Sequence, residues 1–228
     1  MAADPSDIPR RLPRGSHGLG RNVVAASQRA RLLEAVGRAV AGKGYAAATI
    51  DDIVRGAGVS KMTFYEHFAD KEGCFLAAYE AAAEELFRRV REAHETSGEW
   101  VQRTRAGIAA YLRWLAAEPA LARVFLIEVA AAGPRAAEAR ERLRDRYAVL
   151  MRQLQGEARA ELPALPLLPD EVFHAAVAAV DELVVRHIRE DTAESLPELE
   201  PILLYLQVAL LAGPQVAAES AGRFDDVR

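Results

Sequence analysis

From Val24 onward the apolar residues of this chain recur three and four apart, and the spacing persists with few interruptions to Leu211. That period suits one face of an α-helix, and no alternation of the kind a strand needs is sustained anywhere. Leu32, Leu33, Val36, Val40 and Tyr45 form the first such stripe. The breaks carry as much information as the runs. Gly42 and Gly44, Gly58, Pro119, Gly133-Pro134, and a connector over 162–169 with Pro163, Pro166 and Pro169 all interrupt the pattern. Gly loses the most backbone freedom in a helix, and Pro lacks the N–H that a helix interior requires. The expected helices run over about 25–41, 49–57, 60–68, 70–94, 99–117, 120–132, 135–162, 170–191 and 196–211. The fold class is all-α with about nine helices.

With 228 residues, half of them apolar, the chain can bury a sizeable core without disulfides or metal. Cys74 is its one cysteine, so no intrachain disulfide forms and a reducing compartment is expected. No uninterrupted apolar run approaches the roughly 18 residues of a membrane span. The first residues are charged where a signal peptide is apolar. The expectation is a cytoplasmic protein without a membrane partner.

The net charge of −4 is unevenly spread. Residues 1–75 hold 11 Lys/Arg against 8 Asp/Glu, and residues 76–228 hold 18 against 25. Lys43, Lys61 and Lys71, all the lysines there are, fall in the first segment. This pattern fits a small basic head on a larger acidic body, because phosphate binding needs only local positive potential. Residues 1–21, with Pro5, Pro9, Pro13 and several Gly, read as a flexible arm carrying Arg10, Arg11 and Arg14. Residues 219–228 read as a flexible tail.

Two short helices, 49–57 and 60–68, are separated only by Gly58-Val59, as in a helix-turn-helix, whose second helix enters the major groove of DNA. Thr49 and Ser60 are placed to cap them. Phe64 and Phe68, four apart, share one face and can hold the second helix against Ile53 and Val59. Lys61, Met62, Thr63, Tyr65 and His67 then look outward. Lys and Thr can approach base edges, and Ser, Thr, Tyr, His and Lys can hold phosphate oxygens. The start of the next helix adds partial positive charge beside Lys71.

The run over 49–72, TIDDIVRGAGVSKMTFYEHFADKE, resembles the signature of the tetracycline-repressor family. The turn Ala57-Gly58-Val59-Ser60, the helix with Thr63, Tyr65, His67 and Phe68, and the Lys71-Glu72 helix start occur in the family's order. The resemblance covers about residues 25–75; beyond it only the all-helical layout agrees. It implies a DNA-binding domain over 22–69 and an effector-binding and dimerisation domain over 70–218. It also implies phosphate contacts from Thr49, Ser60, Thr63, Tyr65, His67 and Lys71, and base contacts from Lys61, Met62 and Thr63. Gly73-Cys74 departs from the pattern, since many members have a larger helix former and then Leu there.

The family also implies a homodimer built on the last two long helices, facing a palindromic double-stranded DNA operator. Its mechanism is a ligand that changes the tilt of the helix starting near residue 70. The helices over 170–191 and 196–211 are apolar on nearly every side, from Ala175 to Val185 and from Leu203 to Leu211, as a helix with two apolar partners would be. Burial within one subunit explains the same pattern. A pocket for a small-molecule effector is expected from Tyr111, Trp114 and Leu115, from Phe125, Glu128 and Val129, from Phe173, His174, Val177 and Asp181, and from Tyr147 and Met151. A plain helical core explains these positions equally. Glu128, set in an apolar run, needs an Arg partner, a raised pKa or a ligand. Asp181 and Glu182 pose the same question, with Arg186 within reach.

An enzyme is not expected. A di-iron bundle needs two Glu-x-x-His motifs, and only Glu171 with His174 supplies one. No nucleotide-binding Gly loop, zinc spacing or nucleophile elbow is present. No cofactor or metal is called for. An effector-independent DNA-binding or scaffold protein is the alternative to a ligand-released repressor.

Overall fold

The computed structural model describes residues 20–95, 98–190 and 192–221. The expected N-terminal arm, up to residue 19, and the chain after Ala221 lie outside the described residues. Among those described there are ten α-helices and no strand. The 23-residue α1 (Arg21–Lys43) leads, followed by the short α2 (Ile50–Ala57) and α3 (Lys61–His67). The long α4 (Lys71–Glu95) follows, then α5 (Trp100–Ala117), α6 (Pro119–Leu126), α7 (Pro134–Glu161), α8 (Asp170–Arg189), α9 (Glu200–Ala212) and α10 (Pro214–Ala221). Two 3₁₀ segments, Glu128–Ala131 and Ala193–Leu199, stand before α7 and α9.

The expected helices therefore appear near their expected bounds, with three differences. The run over 120–132 is not one helix, because the α-helical turn stops at Leu126 and the chain tightens into 3₁₀ geometry. The run beginning near 196 starts as 3₁₀ with Pro197 inside it and becomes α-helical only at Glu200. The tenth helix, α10, occupies part of what reads as tail, and Ala217 on it is fully buried.

In the head, α1 buries Leu32, Val36 and Val40 against Ile53 of α2 and Phe64 of α3. In the body, α4, α5 and α7 surround a core that includes Leu86, Leu112, Leu115 and Leu154, and α8 and α9 add Val184, Leu203 and Leu204. Arg103 ties α5 to α7 through Glu157 and Glu161, each at 3.0 Å. Arg105 reaches from α5 to Glu200 at 2.9 Å and to the Ser220 carbonyl of α10. The proline connector stays non-helical, and α7 satisfies its carbonyls: Gln155 donates to Pro166 and Arg159 to Leu165.

Residues Ala193–Ala212 are long and apolar enough to cross a membrane by length and composition. Leu196, Leu199, Leu203, Leu204, Val208 and Leu211 nevertheless pack into the core.

Candidate nucleic-acid interface and effector cavity

Local chemistry builds the turn between α2 and α3. Thr49 caps α2: its hydroxyl oxygen accepts from the Asp52 N–H at 3.2 Å, and the Asp52 carboxylate accepts from the Thr49 N–H at 3.1 Å. Gly58 ends α2 at φ 63°, ψ 42°, a left-handed conformation that a side chain disfavours. Arg31 of α1 then fastens the turn, donating to the Ala57 carbonyl at 2.9 Å. Ser60 caps α3 by accepting from the Thr63 N–H at 3.0 Å. Phe64 and Phe68 lie in the core of the head, with Arg29 5.5 Å from the Phe68 ring.

This anchoring turns one face of α3 outward. Met62 is 73% exposed and Tyr65 55%, three residues apart and so on one face of the helix. Lys61 is exposed beside them and pairs with Asp51 at 2.8 Å. Thr63 is half-buried and its hydroxyl meets that of Ser60, while His67 is half-buried against Gln28 at 3.4 Å. Thr49 and Ser60 are exposed but already hold the helix caps. Lys71 departs from the expected picture. Its ammonium turns inward, donating to the Tyr45 carbonyl at 2.7 Å and the Ala48 carbonyl at 2.8 Å, and lies 4.3 Å from the Tyr45 ring. Two of its three N–H donors are thereby engaged. Gly73, where the family pattern has a larger residue, gives its N–H to Asp70 at the start of α4.

In the body a narrow cavity of about 80 Å³ lies among α4, α5, α6, α7, α8 and α9. Six of the expected residues line it: Tyr111, Phe125, Tyr147, Met151, Val177 and Asp181. Tyr79 of α4 stacks on Phe125 with ring centroids 4.8 Å apart and closes the end nearest the head. Arg140 and Arg144 of α7 also line it, and Asp181 pairs with both, at 3.7 Å and 2.9 Å. Arg186, expected to serve Asp181, pairs instead with Glu190, one turn on, at 3.1 Å. Burial raises the pKa of the Tyr79, Tyr111 and Tyr147 phenols, so all three remain protonated donors at neutral pH. Burial likewise lowers His94, which keeps its ring neutral at the far end.

The other six expected pocket residues lie elsewhere. Leu115 and Val129 are fully buried packing residues, and Phe173 is buried with the Arg152 guanidinium 5.8 Å from its ring. His174 is exposed, 3.8 Å from Asp145, on the outer face of α8. Trp114 stands edge-on to Phe125 and lines an outer groove of about 280 Å³ with Leu33, Gly37 and Leu121. Glu128 meets a backbone donor of the head. The 3₁₀ turn after α6 aims its carboxylate at the head, where it accepts the Tyr45 N–H at 2.9 Å.

Sequence spacing could have found the missed arginines. Arg140, Arg144, Tyr147 and Met151 are four, three and four apart, so the Tyr147–Met151 stripe simply continues toward the start of α7. Tyr79 and Arg31 left no comparable signal, because each acts across a tertiary contact.

The sequence pattern of "Bacterial regulatory proteins, tetR family" matches residues 32–78, the stretch that holds the turn and both its helices. Over residues 32–78 the chain thus carries the tetR-family pattern. The chain is 33% identical over 103 residues to the HTH-type transcriptional activator FasR of Mycolicibacterium smegmatis (strain ATCC 700084 / mc(2)155). That match covers 45% of the chain and spans about half, 47%, of the relative's length. Its fold is that of the fatty acid degradation regulator FadR from Bacillus halodurans (TM-score 0.70, 20% identity, 81% of this chain and 98% of that one). It is likewise that of the transcriptional regulator FadR from Bacillus subtilis in complex with stearoyl-CoA (TM-score 0.71, 18% identity, the same coverage). The family is one of regulators, not enzymes.

Proposed function

We propose that this tetR-family protein is a homodimeric, sequence-specific transcriptional regulator of the cytoplasm, a repressor released from a palindromic operator by a small, mostly apolar effector. Residues 22–69 are the DNA-binding domain and 70–218 the effector-binding and dimerisation domain. The observation that carries this reading is the outward face of α3, where Lys61, Met62 and Tyr65 stand exposed on a helix that Phe64 and Phe68 lock in place. Lys61, Met62 and Thr63 approach base edges, and Thr49, Ser60, Tyr65 and His67 hold phosphates that set the register.

The dimer draws support from α8 and α9. Ala175 and Ala178 are exposed, Leu206 is half-exposed and Leu210 is 37% exposed, so each helix keeps apolar surface that its own chain leaves uncovered. Only 39% of the apolar stretch in 193–212 is buried within one chain. A two-fold axis there sets two copies of α3 against half-sites one DNA turn apart or a multiple of it.

The effector is a long-chain acyl group, by the mostly apolar lining of the cavity and by the stearoyl-CoA bound to the Bacillus subtilis relative. At about 80 Å³ the cavity falls well short of the roughly 300–1,000 Å³ of occupied ligand sites. Binding therefore displaces its walls. Tyr79 and Phe125 are the walls that lead to the head, through α4 and through Glu128. DNA fits one spacing of the two heads, so effector and operator oppose each other reciprocally.

The test is selection of an operator from random DNA, followed by titration against salt. The parent protein binds a palindrome with an affinity that falls steeply with salt. Tyr65→Ala with His67→Ala weakens binding and flattens the salt slope without unfolding the protein; unchanged affinity sinks the assignment. A reporter with the operator placed at its promoter reads the direction of regulation.

A further inference from the structure

We propose that the end of the cavity between α7 and α8 is a seat for the oxygen-bearing end of the effector, a carbonyl or carboxylate at the head of a long alkyl chain, held by the Tyr147 hydroxyl with Arg140 and Arg144. This deepens the acyl reading above and rests on it.

Tyr147 supplies the first observation. Its hydroxyl is buried and, among the described residues, has no hydrogen-bond partner, although the ring lines the cavity. A native fold seldom leaves a buried donor unmet without some use for it. Nor is the ring free to swing away: Phe87 holds it edge-on at 5.4 Å, and Arg146 covers Phe87 at 4.4 Å. The charge balance supplies the second, independent observation. Arg140 and Arg144 converge on the one carboxylate of Asp181, at 3.7 Å and 2.9 Å, so two cations share an anion at the cavity wall. Arg144 also reaches Glu141 at 2.9 Å, but that carboxylate is well exposed and screened by water. Positive charge is thus left for a further oxygen.

These groups sit together. Arg140, Arg144 and Tyr147 line the one cavity from α7, and Asp181 lines it from α8. Away from them the wall is mostly apolar, with Val90, Ile108, Leu150, Leu154 and Leu203. A ligand entering this space has one orientation that satisfies everything, with oxygen at the Tyr147 end and alkyl chain along the remainder.

The experiment titrates the full chain and its Tyr147→Phe variant with stearoyl-CoA, stearate and octadecane, and records the melting temperature of each protein without ligand. Tyr147→Phe is expected to bind both oxygenated ligands about tenfold more weakly and octadecane unchanged, the loss of one hydrogen bond to a polar ligand. Because the hydroxyl has no partner in the unliganded protein, the melting temperature holds or rises. Asp181→Asn, which frees both arginines, separates the two sources: tightening for stearate alone assigns the seat to a carboxylate, and an equal response assigns it to the acyl carbonyl. Undiminished binding by Tyr147→Phe, or a lowered melting temperature, overturns the seat and leaves the acyl reading standing. Failure of the parent to bind either oxygenated ligand overturns both.

Discussion

The Glu128 carboxylate accepts a 2.9 Å hydrogen bond from the backbone N–H of Tyr45, joining residues 83 positions apart. Glu128 follows directly on α6, whose Phe125 and Leu126 line the cavity, while Tyr45 belongs to the loop that leads into the helix-turn-helix. The same loop is gripped from the other side by Lys71 at the start of α4, four residues below which lies Phe75, edge-on to Tyr45 at 5.1 Å. Gly44 turns the chain into this loop at φ 76°, a conformation in which a side chain is strained. Two routes from the cavity thus end on one loop of the head.

Glu128→Ala removes one of those routes. Operator binding without effector stays within a few-fold of the parent, because α3 is untouched. The factor by which stearoyl-CoA weakens operator binding is expected to fall about tenfold, within the usual range of coupling energies of 1–3 kcal/mol. DNA titrations with and without the ligand measure it, and an undiminished factor places the signal in α4 alone.

A second prediction concerns acid. Lys43 donates to Asp52 at 2.7 Å, and the Thr49 hydroxyl and N–H add two more hydrogen bonds, which together hold the Asp52 carboxyl at about 2, below the ordinary 3.8. The folded value is the lower one, so the unfolded chain takes up the proton first. The stabilisation is complete above about pH 4 and fades as pH drops toward 2. Asp52→Asn should therefore melt below the parent at neutral pH, with the gap closing across that acid window.

Cys74 is fully buried at the joint of α1 and α4, and burial pushes its thiol up to about 12. The thiolate is the reactive form, so the native protein should resist aromatic disulfide reagents at neutral pH and react fully once unfolded. Rapid labelling of the native chain contradicts this placement.

Leu210, 37% exposed on α9, is placed to test the dimer. Leu210→Glu puts a charge where a partner's apolar face belongs, and burying such a charge unpaired costs several kcal/mol. Sedimentation is expected to show monomer, while circular dichroism keeps the helical signal because the fold of one chain leaves this position open. A dimer that survives the charge puts the interface elsewhere.

The head was legible at almost every step. Phe64 and Phe68, Gly58, and the capping pairs of Thr49 with Asp52 and Ser60 with Thr63 all act within a few residues of themselves, so spacing alone reveals them. The cavity was half legible. Helical spacing sorts residues by face, and it brought Tyr111, Phe125, Tyr147 and Met151 together; it does not say which neighbour a face meets. Leu115 and Val129 share those faces but meet packed side chains instead of space.

By itself, then, the sequence determined an all-helical chain, the positions of its breaks and the outward face of α3, since these follow from local hydrogen bonding and periodicity. Only the tertiary structure decided that Glu128 answers the Tyr45 N–H, that Lys71 turns inward to two carbonyls, and that Asp181 chooses Arg140 and Arg144 over Arg186. Each of those choices depends on which helices pack side by side, a matter of distance through space that no spacing along the chain encodes.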